Sequence, residues 1–293
     1  MSIRRSGQLA VVPLLLLTAA ACGQQTGGVG SGEADSPERS YSADAVVFRM
    51  EHTGGFVTPA MLATRLPTVS VYGDGRVITE GPVPLIYPGP ALPNLQVGMI
   101  SATEVEELLK AARAAGVGGP ADFGTPPVAD APTTRFTVLG DNGVEELDVY
   151  ALAESGGAQT GLTAEQRAKR DTLREFADSL SAEGGPLAAA QTDPQPYVPT
   201  AVAAVAEPWV ANADAGEQPE VAWPGPALPG AEIGEGLGLG CVTATGDEAQ
   251  QVLTAAAAAN AATPWVSDGK RWTVTLRPLL PDETDCGDLT ADR

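Results

Sequence analysis

Alternation of apolar and polar positions first appears at Ala45 to His52 and returns at Thr68 to Thr79, which predicts two strand-like runs. In the second run, Val69, Val71, Val77 and Thr79 flank Gly73-Asp74-Gly75, a hairpin turn signal. At Ser101 the period becomes helical: Val105, Leu108, Leu109 and Ala112 fall on one face, with Glu104, Glu106, Glu107, Lys110 and Arg113 elsewhere. Ser101 and Glu104 form an S-x-x-E capping box, Ile100 and Val105 a hydrophobic staple, and Gly116 a stop. Strands are expected over Thr133 to Leu139 and Val144 to Leu152, joined by Gly140-Asp141-Asn142-Gly143. A second helix starts at Thr163, boxed by Gln166, and runs to about Ser181. It presents Leu173, Phe176, Ala177 and Leu180 on one face, with Glu165 and Lys169 as an i,i+4 pair.

Residues 183–196 have no period and are rich in Gly, Pro and Ala, which predicts a linker between an N-terminal unit over 45–182 and a C-terminal unit over 197–293. PGPALP at 88–93, after Tyr87, recurs at 224–229, after Trp223. Downstream of the second copy, Ala249, Val252, Leu253 and Ala256 repeat the first helix's spacing, and Asp268-Gly269 mirrors the turn at Asn142-Gly143. The expected fold class is α+β: two α+β units of antiparallel hairpins packed on helices, related as a diverged internal repeat. Proline fixes φ and removes ladder donors, so both PGPALP stretches should run along an edge or across a face, in equivalent positions. Tyr87, Pro88, Trp223 and Pro224 are accordingly a candidate binding surface.

The N-terminus carries an address. Arg4 and Arg5 precede an uncharged stretch from Leu9 to Ala21, so residues 1–21 are expected to be a signal peptide. These thirteen residues as a helix would span roughly 20 Å, short of the ~30 Å hydrocarbon core. Ala19-Ala20-Ala21-Cys22 resembles the lipobox of bacterial lipoproteins, which implies diacylglycerol on Cys22; Ala19 and Ala21 also fit ordinary signal-peptidase cleavage. Residues 22–44 then read as a flexible tether. An exported chain with three Cys leaves one unpaired. Acylating Cys22 removes it, and leaves Cys241 and Cys286 to form a disulfide.

Composition narrows the function. Lys and Arg number 17 against 37 Asp and Glu, a net charge of −20, which makes nucleic acid an improbable partner. At 43% apolar residues the chain can bury a sizeable core. His52 is the single histidine; beside Glu51 it could act as a general base, but no G-x-S-x-G elbow accompanies it, and a surface histidine is the plainer reading. Asp282, Glu283, Asp285 and Asp288, like Asp141, Glu145, Glu146 and Asp148, could offer oxygens to Ca²⁺, but neither group has EF-hand spacing. No metal and no cofactor is therefore expected. Gly234 to Gly240 lacks phosphate-loop spacing and reads as a loop. All four Trp (Trp209, Trp223, Trp265, Trp272) lie in the second half, as core fillers or as exposed contacts.

The segments VVFRMEHTGGFVTP, LPTVSVYGDGRVITEGP, YPGPALPNLQV and WTVTLRPLLPDE resemble actinobacterial exported lipoproteins with no assigned function. That resemblance implies a secreted, lipid-anchored α+β protein and brings no catalytic residues. The expected function is a lipid-anchored extracytoplasmic binding or envelope-accessory protein without catalysis of its own. Its partners would be the membrane, through lipid on Cys22, and a protein or other component of the envelope. The alternatives are a hydrolase using an Asp/Glu pair and a protein inhibitor presenting Pro-rich loops.

Overall fold

The computed structural model describes residues 41–154 and 160–289. The leader, Cys22 and tether residues up to 40 lie outside the described residues. The tether's last residues are packed, contrary to the expectation of a free segment to 44: the Tyr41 hydroxyl donates to Glu106 Oε1 at 3.1 Å and Asp44 pairs with Arg76.

The first half contributes β1 (Val46–Gly54), α1 (Pro59–Thr64), β2 (Val69–Tyr72), β3 (Arg76–Glu80), β4 (Leu95–Met99), α2 (Ala102–Ala114), β5 (Pro132–Gly140), β6 (Gly143–Tyr150), α3 (Ala164–Ser179) and the short β7 (Gln195–Pro196). The second half adds β8 (Ala201–Pro208), β9 (Val221–Ala222), β10 (Ala231–Ile233), β11 (Leu239–Thr245), α4 (Gly246–Ala257), β12 (Trp265–Ser267) and β13 (Lys270–Pro278). They form two sheets with helices, an α+β arrangement. The first sheet, β6-β5-β1-β2-β3-β4-β7, is antiparallel throughout. The second, β10-β11-β8-β13-β12-β9, has one parallel pair, β12 with β9.

Local signals account for the helices. Both expected capping boxes form: Ser101 with Glu104 opens α2, and Thr163 with Gln166 opens α3. Lys169 Nζ lies 2.7 Å from Glu165. The stripes of α2 and α3 cover one face of the first sheet, where Leu108, Leu109 and Leu173 meet Phe48, Val71 and Phe136. Phe176 meets Phe48 edge to face, ring centroids 5.8 Å apart. The other face carries Tyr72, Ile78 and Leu95 against Leu280 from the second half, so all four residues of β2 are buried.

Residues 183–196 are built into this sheet. A 3₁₀ turn at Ala189–Gln191 lies on β4 and places Ala190 in the first core, while β7 extends the sheet at its edge, where Pro196 needs no donor. A Cβ at Gly98 of β4 would collide with the Ala190 carbonyl, so glycine there permits the close approach. Contacts join the described residues into one compact unit.

In the second sheet, β8 is apolar on both faces. Val202, Ala204 and Ala206 meet α4, Trp265 and Leu276. Ala203 and Val205 meet Ala60 of α1, Leu279 and Leu289. Cys241 on β11 is bonded to Cys286, in the 3₁₀ turn Cys286–Leu289, as the cysteine count implies.

The strand orders do not follow the expected repeat. In the first sheet the leading hairpin strand, β5, lies inside, and β1, β2 and β3 separate it from β4. In the second the trailing strand, β13, lies inside, and β8 alone separates it from β11. The PGPALP copies also differ from the expected one-per-unit placement. Ala91 and Leu92 of the first and Leu228 of the second all pack on the second core. Segments without ladder donors cross to whatever apolar surface is open, and the small side chains Ala249 and Ala256 of α4 leave that surface.

Candidate functional site: the Tyr87–Trp209 surface

Residues 82–87, Pro-Val-Pro-Leu-Ile-Tyr, form an apolar ridge whose side chains face solvent: Val83 is 59% exposed, Leu85 fully exposed, Ile86 62% and Tyr87 65%. Its base is fixed at both ends. Gly81 N donates to Asn94 O at 2.7 Å and Asn94 Nδ2 to Pro82 O at 2.9 Å. Beyond the ridge, Ala261 N donates to Gly89 O at 2.9 Å, and Pro90 bridges to Asn260. Pro82 and Pro84 deny the intervening stretch a place in a sheet, so its side chains stay out.

Asn212 Nδ2 donates to Tyr87 Oη at 2.6 Å, tying the ridge to the loop after β8. That loop brings half-buried Trp209 and exposed Val210 beside Tyr87. Tyr87, Pro88, Trp209 and Gln218 line a cavity of about 190 Å³. On its far side Trp209 borders a wider hollow with Glu217, Glu220 and Arg271. The Arg271 guanidinium lies 4.7 Å from the Trp209 ring centroid and 3.7 Å from Glu220.

Of the expected surface residues, Tyr87 and Pro88 belong to this site and Trp223 does not. Trp223 is 8% exposed, meets Trp265 edge to face at 5.4 Å and donates from Nε1 to Pro226 O at 2.7 Å. Its own PGPALP segment folds back over it, which turns the ring into core and leaves Pro224 half-buried beside it. Trp265 and Trp272 are buried as well. Trp209, which takes the exposed role, carried one local signal: it follows Pro208 at the end of an apolar run.

Three of the carboxylates expected as metal ligands are engaged in structural pairs. Asp282 pairs with Arg49, Glu283 with Arg277, and Asp148 holds Arg135 through both oxygens. Asp288 accepts from Thr284 N and Oγ1, which holds its carboxyl below the usual range. Among the described residues no group of three or more His, Cys, Asp or Glu could hold a metal ion. His52 is half-buried on β1, its Nδ1 3.4 Å from Thr134 Oγ1. Burial, with the nearby Arg65 guanidinium, lowers its pKa and keeps the imidazole neutral at pH 7. Gly240 lies in β11 rather than in a loop.

Two arginines to which no sequence signal pointed, Arg170 and Arg277, are fully buried. Arg170 of α3 donates to the carbonyls of Phe123, Tyr150 and Ala151, and burial lowers its pKa. Ala151 has φ of 51°, a left-handed conformation, beside that contact. Arg277 donates to Glu283 Oε1 at 2.7 Å.

Comparison of the chain with family models, with curated proteins and with solved structures finds no match. Among the described residues no helix is long and apolar enough to cross a membrane.

Proposed function

We propose that this is a lipid-anchored extracytoplasmic binding protein that engages a protein of the cell envelope through the Tyr87–Trp209 surface, without catalysis of its own. The observation that carries the reading is the ridge: a continuous run of exposed apolar side chains, held at both ends, on a protein of net charge −20. An apolar run with that exposure contributes nothing to the core, and its proline-fixed backbone loses little entropy when a partner covers it. Exposed Glu80 precedes it in the chain, and on the Trp209 side exposed Asp214, Glu217 and Glu220 accompany Arg271. The complementary partner is therefore a protein cleft that takes Leu85 and Ile86 and carries a basic rim. The signal-peptide pattern, the lipobox-like Ala19 to Cys22 and the resemblance to exported actinobacterial lipoproteins support the location.

A photo-crosslinking amino acid at position 85, compared with one at exposed Lys110 on α2, tests this in intact cells. The expected result is a discrete protein adduct from position 85, absent from position 110 and lost with Ile86→Ser. Identical patterns from both positions, or adducts with lipid alone, would overturn it.

A further inference from the structure

A cleft lies on the helical side of the first sheet, under the C-terminal part of α3. One part, about 340 Å³, has Met50, Val69, Val77, Leu180 and Leu187 in its walls and reaches Gly81 and Pro82, where the ridge begins. The other, about 270 Å³, is bordered by His52, Thr134, Leu152, Arg174 and Asp178. The two meet at Met50, Thr68, Ala177 and Ser181, which border both. Leu173 and Phe176 fill the core beneath α3, whereas Ala177 and Ser181 are too small to close the gap to the sheet. The volumes, and the mixture of apolar wall with a few polar groups, are those of a small-molecule site.

Arg174 brings an incompletely engaged cation to the polar part. Its Nη1 donates to Asp171 Oδ1 at 2.7 Å and its Nε to the Leu152 carbonyl at 3.2 Å. Nη2 is closed off from water and has no hydrogen-bond partner among the described residues. That nitrogen carries two N–H groups, and leaving them without an acceptor costs stability until one reaches them. The side chain as a whole keeps 27% of its surface, so a ligand oxygen reaches Nη2 by a turn of the guanidinium rather than by repacking of the core.

The surroundings favour one negative charge. Arg170, one turn earlier and fully buried, adds a second guanidinium: burial first and the Arg174 charge next lower its pKa, while Asp171 opposes them. Both guanidiniums therefore draw on exposed Asp171. Asp178 is exposed at the rim, where water screens it. The Thr134 hydroxyl lies on the opposite wall beside His52, whose imidazole is neutral. An ionised acceptor gains more from a guanidinium N–H than a neutral one does. A dianionic head would find no second free cation and would face Asp171 and Asp178. Exposed Glu80 at the apolar end leaves an anion only the Arg174 end.

We infer that this cleft binds an amphipathic monocarboxylate, an aliphatic acid whose carboxylate sits on Arg174 Nη2 and whose chain runs past Ala177 to Met50 and Leu187. The chain would end near the base of the ridge, but the inference uses no exposed ridge side chain and does not rest on the partner proposed there.

Isothermal titration calorimetry of decanoate and of uncharged monodecanoylglycerol into the full chain carrying Cys22→Ser, in which no attached acyl group competes, tests this. Decanoate is expected to bind saturably and at least about tenfold more tightly than the monoglyceride. Arg174→Gln should weaken decanoate by about tenfold or more and leave the monoglyceride unchanged, so that the preference disappears. An arginine with a merely structural role would weaken both ligands alike. Should that variant fail to fold, Ser181→Trp, at an exposed position on the rim, plugs the cleft and should weaken decanoate by about tenfold or more. Absence of saturable decanoate binding, equal affinity for the two ligands, a preference that survives in folded Arg174→Gln, or undiminished binding in folded Ser181→Trp would overturn the inference.

Discussion

Arg49 Nη2 lies 2.8 Å from Asp282 Oδ1, although 233 positions of sequence separate the two residues. The same carboxylate oxygen accepts from the Tyr72 hydroxyl at 2.7 Å, and Arg49 Nε donates to Ser70 Oγ at 2.9 Å. This network occupies the face of the first sheet that carries no helix, where the chain beyond β13 arrives. Burial and the Asp282 charge both raise the Tyr72 pKa and keep the phenol protonated. Burial alone would lower that of Arg49, but Asp282 more than offsets it.

Asp282→Ala should therefore destabilise the protein by about 2–4 kcal/mol, because it leaves a mostly buried guanidinium and phenol without their acceptor. Asp282→Asn, which retains an acceptor oxygen, should cost less. Urea denaturation compares them, and an alanine variant as stable as wild type would remove this network from the account of how the halves are joined.

Opening the Cys241–Cys286 bridge should cost about 4 kcal/mol in the chain-entropy model, given a sequence separation of 45. The bond holds the terminal 3₁₀ turn on β11, where Cys286 N also donates to Thr243 Oγ1 at 3.1 Å. The expected outcome of Cys286→Ser is a lower melting temperature with the binding surfaces retained. Non-reducing peptide mapping should recover the linked pair, and two free thiols in protein from the envelope would contradict it.

His52 should make stability fall on mild acidification. Its folded pKa lies below the ordinary 6.5, so above that value both folded and unfolded forms are neutral and the residue has no effect. As pH drops below 6.5 the unfolded chain takes up the proton first, and stability is lost until the folded-state pKa is passed. Arg65 acts in the same direction as burial, while Glu51 opposes them. Denaturation midpoints at about pH 7.5 and 5.5, either side of an ordinary histidine pKa, should differ less in His52→Gln than in wild type. Equal differences would show that the imidazole does not report this environment.

Cys22→Ser should remove the lipid acceptor and leave the chain unprocessed or released from the membrane. A strongly anionic body has no electrostatic hold on anionic headgroups, and stable anchoring needs attached acyl chains. Labelling cells with a radioactive fatty acid, followed by detergent partitioning, reads this out; equal label in both proteins would end the lipoprotein reading.

Features set by neighbours in the chain were legible without coordinates. Caps, glycine turns and a helical stripe depend on residues a few positions apart, so α2, α3 and the hairpins from β2 to β3 and from β5 to β6 follow from short windows of sequence. The Cys241–Cys286 pairing followed from counting. The run AVAAVA in β8 was not legible, because a strand buried on both faces shows no alternation. Neither was the groove beside Ala177, since the absence of a large side chain on a helix says nothing until its opposing surface is placed.

The sequence by itself determined which stretches become helix or hairpin, since those choices are governed by local backbone preference and one-sided apolar periodicity. Tertiary structure alone decided which of two similar residues is buried. Trp223 became core because its own proline segment closes over it, while Trp209 stayed at the surface beside Tyr87. Arg170 could leave water only because the fold brings the Tyr150 and Ala151 carbonyls to it, and Arg277 because the chain beyond β13 turns back to place Glu283 against it. Burial is a property of the assembled surfaces: both PGPALP copies lay apolar side chains on the second core, Ala91 and Leu92 from one and Leu228 from the other, although they lie 136 positions apart in the chain.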